Sequence, residues 1–219
     1  GRGRRALLVG GSGLHFQAVV DDLQLPGEDR ELRGAIELVS STQEGRDALR
    51  AELEKVDPLA ASRMEPSNVR RLVRAIEVVR LTGRPFSSFG RGIGHYGAPV
   101  VPIRIAGVWL PRPALAKRIR DRFEAMREAG LVAEVRALSA EPLGLSRTAR
   151  QAIGYKEVLA HLEGTIPDLE SALTGAATRT VAFARRQRMW FRRDPRVTWF
   201  GATDNPRGLV PALLRDWSS

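Results

Sequence analysis

The stretch Ala6-Leu-Leu-Val-Gly-Gly-Ser-Gly13, continued by Leu14-His-Phe-Gln-Ala-Val-Val20, decides the fold class of this chain. Its first part is a short apolar run that ends at a glycine turn, and its second part has apolar residues at near-helical spacing. A buried strand of a parallel sheet has this composition, and the helix that follows is the usual crossover element. The stretch therefore predicts the start of a βα unit and an α/β fold.

Outward from this unit, helices dominate the prediction. Between about Pro26 and Pro85 the pattern is helical and charged, with a helix over 46–54 and a short element that starts at Asp57-Pro58. A further helix is predicted over Val69–Leu81, capped by Ser67 and stopped by Thr82-Gly83. The glycine- and proline-rich segment 90–102 predicts a loop or hinge.

The second half predicts two strands among helices. Ile103–Trp109 alternates in hydrophobicity and predicts one strand, and Val197–Phe200 predicts the last strand. Helices are predicted from Pro113 to Gly130, with Leu115, Ile119, Phe123 and Met126 on one face, and over 131–138, 148–162, 169–193 and 209–217. This order predicts an α/β core, residues 1–25 and 89–219, with a helical insertion at residues 26–88.

Charge indicates the class of partner. The chain has 35 Lys and Arg against 25 Asp and Glu, a net charge of +10, with a sequence pI near 11.2. Such a surplus favours a polyanion: nucleic acid, an anionic membrane or a phosphorylated substrate. All but three of the lysine and arginine residues are arginine, and a biased amino-acid composition alone can produce this excess. Clusters of basic residues are therefore better evidence for a polyanionic partner than the net charge.

Several classes of chemistry are excluded or disfavoured by composition. The chain has no cysteine, which excludes disulfides, thiolate zinc sites and a cysteine nucleophile. His15, His95 and His161 are far apart and lack metal-ligand spacing. No apolar run is long enough to span a membrane, so we expect a cytoplasmic protein without a membrane partner.

The strongest cluster of basic residues is Phe183-Ala-Arg-Arg-Gln-Arg-Met-Trp-Phe-Arg-Arg-Asp194. At helical spacing Arg185, Arg188 and Arg192 share one face. Phe183, Trp190 and Phe191 fall elsewhere and are expected to anchor the helix to a core. The arginine face suits a phosphate backbone, and a merely solvated basic face is the alternative.

Three other segments are candidates for binding. The loop Gly10–Gly13 precedes a helix whose free N–H groups suit an anion, although a plain connecting turn has the same composition. Arg150-Gln-Ala-Ile-Gly-Tyr-Lys156 suits a stacked base or a clamped phosphate; the alternative is an ordinary helix start with Ile153 in the core. Residues 57–63 and 70–74 form a second basic surface, or a solvated helix face.

Taken together, these segments resemble the tRNA dimethylallyltransferases, which prenylate N6 of adenosine 37 beside the anticodon. The matches occur in family order over almost the whole chain. They are Leu8-Val-Gly-Gly-Ser-Gly-Leu14, Leu25-Pro26 with Arg33, Asp57-Pro-Leu-Ala-Ala-Ser-Arg63, Arg71-Leu-Val-Arg-Ala-Ile-Glu-Val78 with Thr82-Gly83, Gln151-Ala-Ile-Gly-Tyr-Lys-Glu157, Ala184-Arg-Arg-Gln187 and Trp190-Phe-Arg-Arg-Asp-Pro195.

The resemblance implies a P-loop-NTPase-like core with a helical insertion, and a set of residue roles. Ser12 would lie near the reacting adenosine as the catalytic residue. The diphosphate would contact Gly11, Ser12, Gly13 and Arg150. The tRNA-binding residues would be Arg33, Arg70, Arg71, Arg74, Gln151, Gly154, Tyr155, Lys156, Arg185, Arg186 and Gln187.

The resemblance also implies partners and a missing part. The partners would be the tRNA anticodon stem-loop and dimethylallyl diphosphate, with Mg²⁺ as cofactor and a monomeric protein. The family's phosphate loop, Gly-x4-Gly-Lys-Ser/Thr, and its catalytic aspartate precede the Leu8 strand and are absent from these residues, and the Mg²⁺ ligands are expected there too. We therefore expect residues 1–219 to be the C-terminal portion of the enzyme and inactive alone.

Two alternatives remain open. One is a non-catalytic RNA-binding remnant, which the basic helices support equally well. The other is a kinase-like nucleotide-binding protein, against which the missing Gly-Lys-Ser/Thr argues.

Overall fold

The computed structural model describes residues 6–21, 23, 26–89 and 94–218. The chain divides into two compact units between Pro102 and Ile103. The predicted grouping of residues 1–25 with 89–219 around an insertion stays a prediction. Leu25 of the resemblance and residues 90–93 of the predicted loop lie outside the described residues.

The first unit is helical. Its helices are α1 (Gly13–Val20), α2 (Arg30–Val39), α3 (Gln43–Val56), α4 (Pro58–Ser62) and α5 (Val69–Thr82), followed by a 3-10 turn at Phe86–Ser88. The core packs α2, α3 and α5 through residues at helical spacing. Its largest buried side chains are Ile36, Leu49, Leu53, Leu72 and Ile76.

Helix α5 begins one residue later than the predicted cap implies. Its cap is Asn68, whose side chain accepts a hydrogen bond from Arg71 N at 3.2 Å, so Ser67 as cap was wrong. An asparagine carbonyl reaches the free N–H groups of a first turn as well as a serine hydroxyl does, and local sequence does not choose between neighbours. The predicted stop is confirmed, because Gly83 adopts a φ of 66°.

The predicted buried strand at Ala6–Val9 is wrong. Residues 6–12 form no strand, and Leu7, Leu8 and Val9 are exposed by 68%, 52% and 82%. A strand needs a hydrogen-bonded neighbour. The two strands in the described part of the chain pair with each other and not with this segment.

The predicted loop is confirmed where the structure describes it. Residues 95–99 contain no helix or strand, and Gln17 of α1, which is buried, fixes this segment. Gln17 Nε2 donates to His95 O at 3.0 Å, and Gly94 N donates to Gln17 Oε1 at 3.3 Å.

The second unit joins a small sheet to a helical core. Strands β1 (Ile105–Trp109) and β2 (Val197–Gly201) are parallel, with Ile105 opposite Val197 and Trp109 opposite Gly201. The helices are α6 (Arg112–Glu128), α7 (Leu131–Ala140), α8 (Tyr155–Leu162), α9 (Leu169–Phe191) and α10 (Val210–Ser218).

The predicted apolar face of α6 is confirmed. Ile119 and Phe123 are buried in the core of this unit, and Leu115 and Met126 pack against it. The predicted helix over 148–162 is interrupted instead. A 3-10 turn at Ala149–Gln151 precedes α8, because Gly154 between them has a φ of 100°.

Among the described residues, no helix combines the length and the apolar character that crossing a bilayer requires.

Candidate nucleic-acid interface

The first unit contains a carboxylate, Glu77 of α5, that is completely buried. Its Oε2 accepts hydrogen bonds from Arg33 Nε and Nη2, at 3.0 and 2.8 Å, and from Arg74 Nη1 at 2.9 Å. Its Oε1 accepts from Asp29 N at 2.9 Å. Burial alone would raise the pKa of Glu77, but the hydrogen bonds from Arg74, Asp29 N–H and Arg33 together lower that pKa.

Two predicted RNA-binding arginines are therefore held by Glu77. Arg74 also donates to Gly27 O and Pro26 O, at 3.0 and 2.6 Å, and Arg33 pairs with Glu28 at 3.1 Å. The side chain of Arg74 remains 24% exposed, and that of Arg33 remains 30% exposed. Both arginines thus fasten α2 and the segment before it to α5, whatever else they contact.

Arg70 and Arg71 differ from this pair. Both are exposed on α5. Within the described part of the chain, neither guanidinium has a hydrogen bond or an ion pair. A phosphate group that approached α5 would meet these two side chains without displacing an existing partner.

The glycine loop ends at the start of α1. Ser12 is the N-cap residue of this helix and is exposed, and its side chain makes no capping hydrogen bond. Gly11 precedes it, and Gly13 is the first helical residue. The hydroxyl of Ser12 is thus oriented by nothing in its own helix, and its predicted catalytic role stays a prediction.

In the 150–156 segment, Gly154 lies directly before α8. It is buried, and a β-carbon there would lie 3.3 Å from Phe123 Cε1. Gly154 N donates to Glu157 Oε2 at 2.8 Å, which fixes the start of α8. Ile153 is 37% exposed, so its alternative role as a core residue was wrong: the core contacts of α8 come from Val158 and Leu159.

The side chains beside Gly154 have individual partners. Tyr155 donates to Glu134, and this hydrogen bond raises the pKa of Tyr155. Gln151 and Lys156 are exposed. Arg150 pairs with Glu163 at 2.8 Å along an open groove of about 550 Å³ that Arg136 and Ser139 also line.

Glu157 is a buried carboxylate for which the sequence alone predicted no role. Its Oε1 lies 3.2 Å from Arg179 Nη1, an ion-pair distance without the alignment of a hydrogen bond. The spacing in the sequence could have predicted this role. Glu157 is the third helical residue after Gly154, and a carboxylate at that position reaches back to the free N–H of the cap residue.

In α9, the predicted division between aromatic anchors and basic face is only partly correct. Phe183 is 44% exposed and lies 5.8 Å from the Arg186 guanidinium, so it does not anchor the helix. Trp190 and Phe191 are half-buried. The core contacts of α9 come from the first half of the helix, through Ala172, Leu173, Ala176 and Ala177.

The basic residues of α9 also divide into two groups. Arg185 and Arg186 are exposed, and Gln187 is half-buried. Arg188 is half-buried as well, with its guanidinium 4.7 Å from the centre of the Trp109 ring on β1. Among the arginines of α9, Arg185 and Arg186 are the exposed ones without an ion pair to any described residue, and the Arg186 guanidinium also lies over the Phe183 ring.

A groove of about 220 Å³ that was not predicted from the sequence lies beside the sheet, lined by Trp109, Arg188, Arg192 and Trp199. The signal was a matched pair of tripeptides, Gly107-Val-Trp109 in β1 and Trp199-Phe-Gly201 in β2. When the strands pair in register, each tryptophan lies opposite a glycine.

No group of three or more His, Cys, Asp or Glu in the described residues is arranged to hold a metal ion. The Mg²⁺ expected from the resemblance stays a prediction.

The two units together define an α/β protein with exposed arginine clusters and aromatic side chains, a combination typical of RNA-binding proteins. The sequence model of the IPP transferase family matches residues 1–194. The chain belongs to this family.

Relatives and solved structures agree with this assignment. The tRNA dimethylallyltransferases of Kineococcus radiotolerans and Streptomyces coelicolor are 48% and 44% identical to this chain; the matches cover 97% and 96% of it and 66% of each relative. The full-length tRNA isopentenylpyrophosphate transferase of Bacillus halodurans is 32% identical with a TM-score of 0.55, over 94% of this chain and 62% of that one.

A eukaryotic dimethylallyltransferase acting on tRNA shares the fold, with a TM-score of 0.67 at 22% identity over 94% of this chain and 54% of that one. The predicted fold class, α/β with a P-loop-NTPase-like core and a helical insertion, is confirmed by these structures. The chain spans about two thirds of the length of the curated relatives it matches.

Proposed function

We propose that this chain is part of an enzyme that transfers a dimethylallyl group from dimethylallyl diphosphate to N6 of adenosine 37 in tRNA. Membership of the IPP transferase family carries the proposal, since the family match extends over residues 1–194. The exposed guanidinium groups of Arg70 and Arg71 on α5, and of Arg185 and Arg186 on α9, support RNA as the partner.

The reaction makes definite demands on the protein. The N6–carbon bond forms as the carbon–oxygen bond to diphosphate breaks; N6 loses a proton, and diphosphate departs with the bonding electrons. A weakly nucleophilic amino group needs a general base, and the departing diphosphate needs cations and N–H donors. The target base must also leave its stack to reach the site.

Some residues of this chain suit these demands. We assign Ser12, whose hydroxyl is exposed at the start of α1, to the surroundings of the reacting adenosine, and Gly11 and Gly13 with it to the diphosphate. Arg150 would have to leave Glu163 to bind diphosphate. The segment from Gln151 to Lys156 would line the substrate channel. Mg²⁺ would neutralise charge on the diphosphate.

RNA binding is tested by the salt dependence of affinity for an anticodon stem-loop. Arg70→Ala and Arg71→Ala should each lower the slope of log K against log salt by about 1, since each removes one phosphate contact. Arg80→Ala is the matched control, because Arg80 lies on the same helix and is paired with Glu52 at 2.6 Å. Equal slopes for all three variants and the unmodified chain would show that Arg70 and Arg71 of α5 do not contact the RNA.

The alternative is an RNA-binding chain without catalysis of its own. The 219 residues contain no Gly-x4-Gly-Lys-Ser/Thr, which favours binding without transfer for these residues alone. A transfer assay distinguishes the enzyme from the RNA-binding chain without catalysis. It combines labelled dimethylallyl diphosphate, Mg²⁺ and a stem-loop containing adenosine 37. We expect the longer Kineococcus radiotolerans relative to label the RNA and residues 1–219 only to bind it; transfer by residues 1–219 would contradict the alternative. A monomeric state and a cytoplasmic location stay predictions.

A further inference from the structure

Two walls of the groove are the aromatic side chains of Trp109 and Trp199. Each indole covers a glycine of the neighbouring strand: a β-carbon at residue 107 would lie 2.7 Å from Trp199 Cε3, and one at residue 201 would lie 2.8 Å from Trp109 Cε2. Because the strands are parallel and in register, both rings lie on the same face of the sheet. The two glycines thus make room for two flat side chains on one face.

The remaining walls of the groove are cationic. Arg188 stacks on Trp109 at 4.7 Å from the ring centre, and Arg192, the residue directly after α9, also lines the groove. The Nε of Arg188 is buried, and no group in the described part of the chain accepts a hydrogen bond from it. No acidic side chain is among the four lining residues.

An unsatisfied buried donor is costly, and a ligand that supplied an acceptor would remove the cost. Two indoles and a stacked guanidinium select for a flat ring, and two cations select for negative charge. The volume of about 220 Å³ is below the 300–1,000 Å³ usual for small-molecule sites, which suits one ring system and not a larger ligand.

We propose that this groove binds one nucleotide of an RNA strand, with the base stacked against the indole and guanidinium walls and the phosphate near Arg192. Single-stranded RNA is recognised in this way, by bases stacked on aromatic side chains and arginine planes beside a basic surface. The inference rests on the proposed function only in taking RNA as the partner. The nucleotide bound here need not be the one that is modified.

The experiment uses the emission of the groove tryptophans. The probe is a uridine hexanucleotide, which contains no adenosine to accept a prenyl group, titrated into the full chain at fixed ionic strength. We expect quenching, because stacked bases quench indole emission. Trp109→Leu should weaken binding about tenfold, in the range of stacking contributions for one base. Trp217→Leu, which alters a tryptophan outside the groove, should bind as the unmodified chain does.

A second pair of measurements covers the case in which Trp109→Leu fails to fold. Arg188→Gln and Arg192→Gln keep the sheet intact and should each weaken binding of the hexanucleotide. Inorganic diphosphate should neither quench nor compete at equal ionic strength; if it matches the hexanucleotide, the groove is an anion site and the proposal is wrong. Absence of quenching by the hexanucleotide, or groove variants that bind it as the unmodified chain does, would also overturn it.

The outcome is separable from that of the proposed function. If the groove binds the hexanucleotide but the longer relative transfers no prenyl group to tRNA, the proposed function fails and the stacking site stands. If transfer occurs and the groove variants bind unchanged, the stacking site fails alone.

Discussion

The indole of Trp109 lies across Gly201 on the neighbouring strand, and Trp199 lies across Gly107 in the same way. Each tryptophan occupies the space that a side chain opposite it would fill. The small parallel sheet therefore depends on two glycines for its packing, and not for their conformational freedom.

Gly201→Ala should destabilise the second unit by about 1 to 3 kcal/mol, because the added carbon would lie 2.8 Å from the Trp109 ring and force it to move. Gly175→Ala is the control: Gly175 lies in α9, where an added carbon would meet no group within 4 Å outside the local helix backbone, and alanine favours a helix. Urea unfolding should show a loss for the first variant and none for the second. Equal stability of the two variants would mean that the sheet adapts without strain.

Glu77→Gln should lower the free energy of unfolding by about 2 kcal/mol. The substitution keeps the shape of the side chain but leaves Arg33 and Arg74 without their carboxylate. Glu52→Gln breaks the exposed pair with Arg80 and should cost less than about 1 kcal/mol. The comparison is made by denaturant unfolding near neutral pH, and similar losses for the two variants would contradict the structural role of Glu77.

The first unit should lose stability in acid. Burial alone would raise the pKa of Asp57, but hydrogen bonds from Ser87 N, Ala60 N and the Ser87 hydroxyl outweigh it and lower that pKa, as happens at Glu77. The folded-state pKa of each carboxyl group is below its unfolded value of about 4. Its contribution to the free energy of unfolding is therefore fully present above the unfolded value and is lost as pH falls through the folded-state pKa.

Asp57→Asn should therefore flatten the dependence of unfolding free energy on pH between about 5 and 2, and lower stability at pH 6. Ser87→Ala, which removes one of the donors to the carboxylate, should have a smaller effect in the same direction. Urea titrations at a series of pH values measure both. If the free energy of unfolding of Asp57→Asn depends on pH as that of the unmodified chain does, the Asp57 carboxylate does not contribute to the loss of stability in acid.

Gly154→Ala should destabilise the second unit more than Gly164→Ala. Both glycines have positive φ, 100° and 78°, where alanine is strained. Only at residue 154 would the added carbon also press on Phe123, at 3.3 Å, whereas nothing lies within 4 Å of it at residue 164. Thermal unfolding with circular dichroism compares them, and a larger loss at Gly164 would refute this account of the packing.

Helix positions were predictable because their causes are local. The apolar spacing on α6, the proline at the start of α4 and the glycine after α5 act within a few residues. The cap of α5 was predicted wrongly because either of two neighbours, Ser67 or Asn68, could cap the helix. The helix over 148–162 was predicted wrongly because Gly154 interrupts it.

The candidate interface was less predictable, because exposure of an arginine depends on distant partners. Arg33 and Arg74 look like Arg70 and Arg71 in the sequence, yet Glu77 binds the first pair, and Arg33 lies 44 residues from it along the chain. Phe183 looks like an anchor, but α9 packs through alanines one to three turns earlier.

By itself, then, the sequence determined most of the helices, the strands β1 and β2, the basic character and the family, since each follows from local pattern or from motifs in order. The tertiary structure alone decided which arginines are free, that Ala6–Val9 lacks a paired strand, and that Trp109, Arg188, Arg192 and Trp199 line a groove. The physical reason is that burial, ion pairing and strand pairing depend on which groups meet across the fold, and residues far apart in sequence supply them.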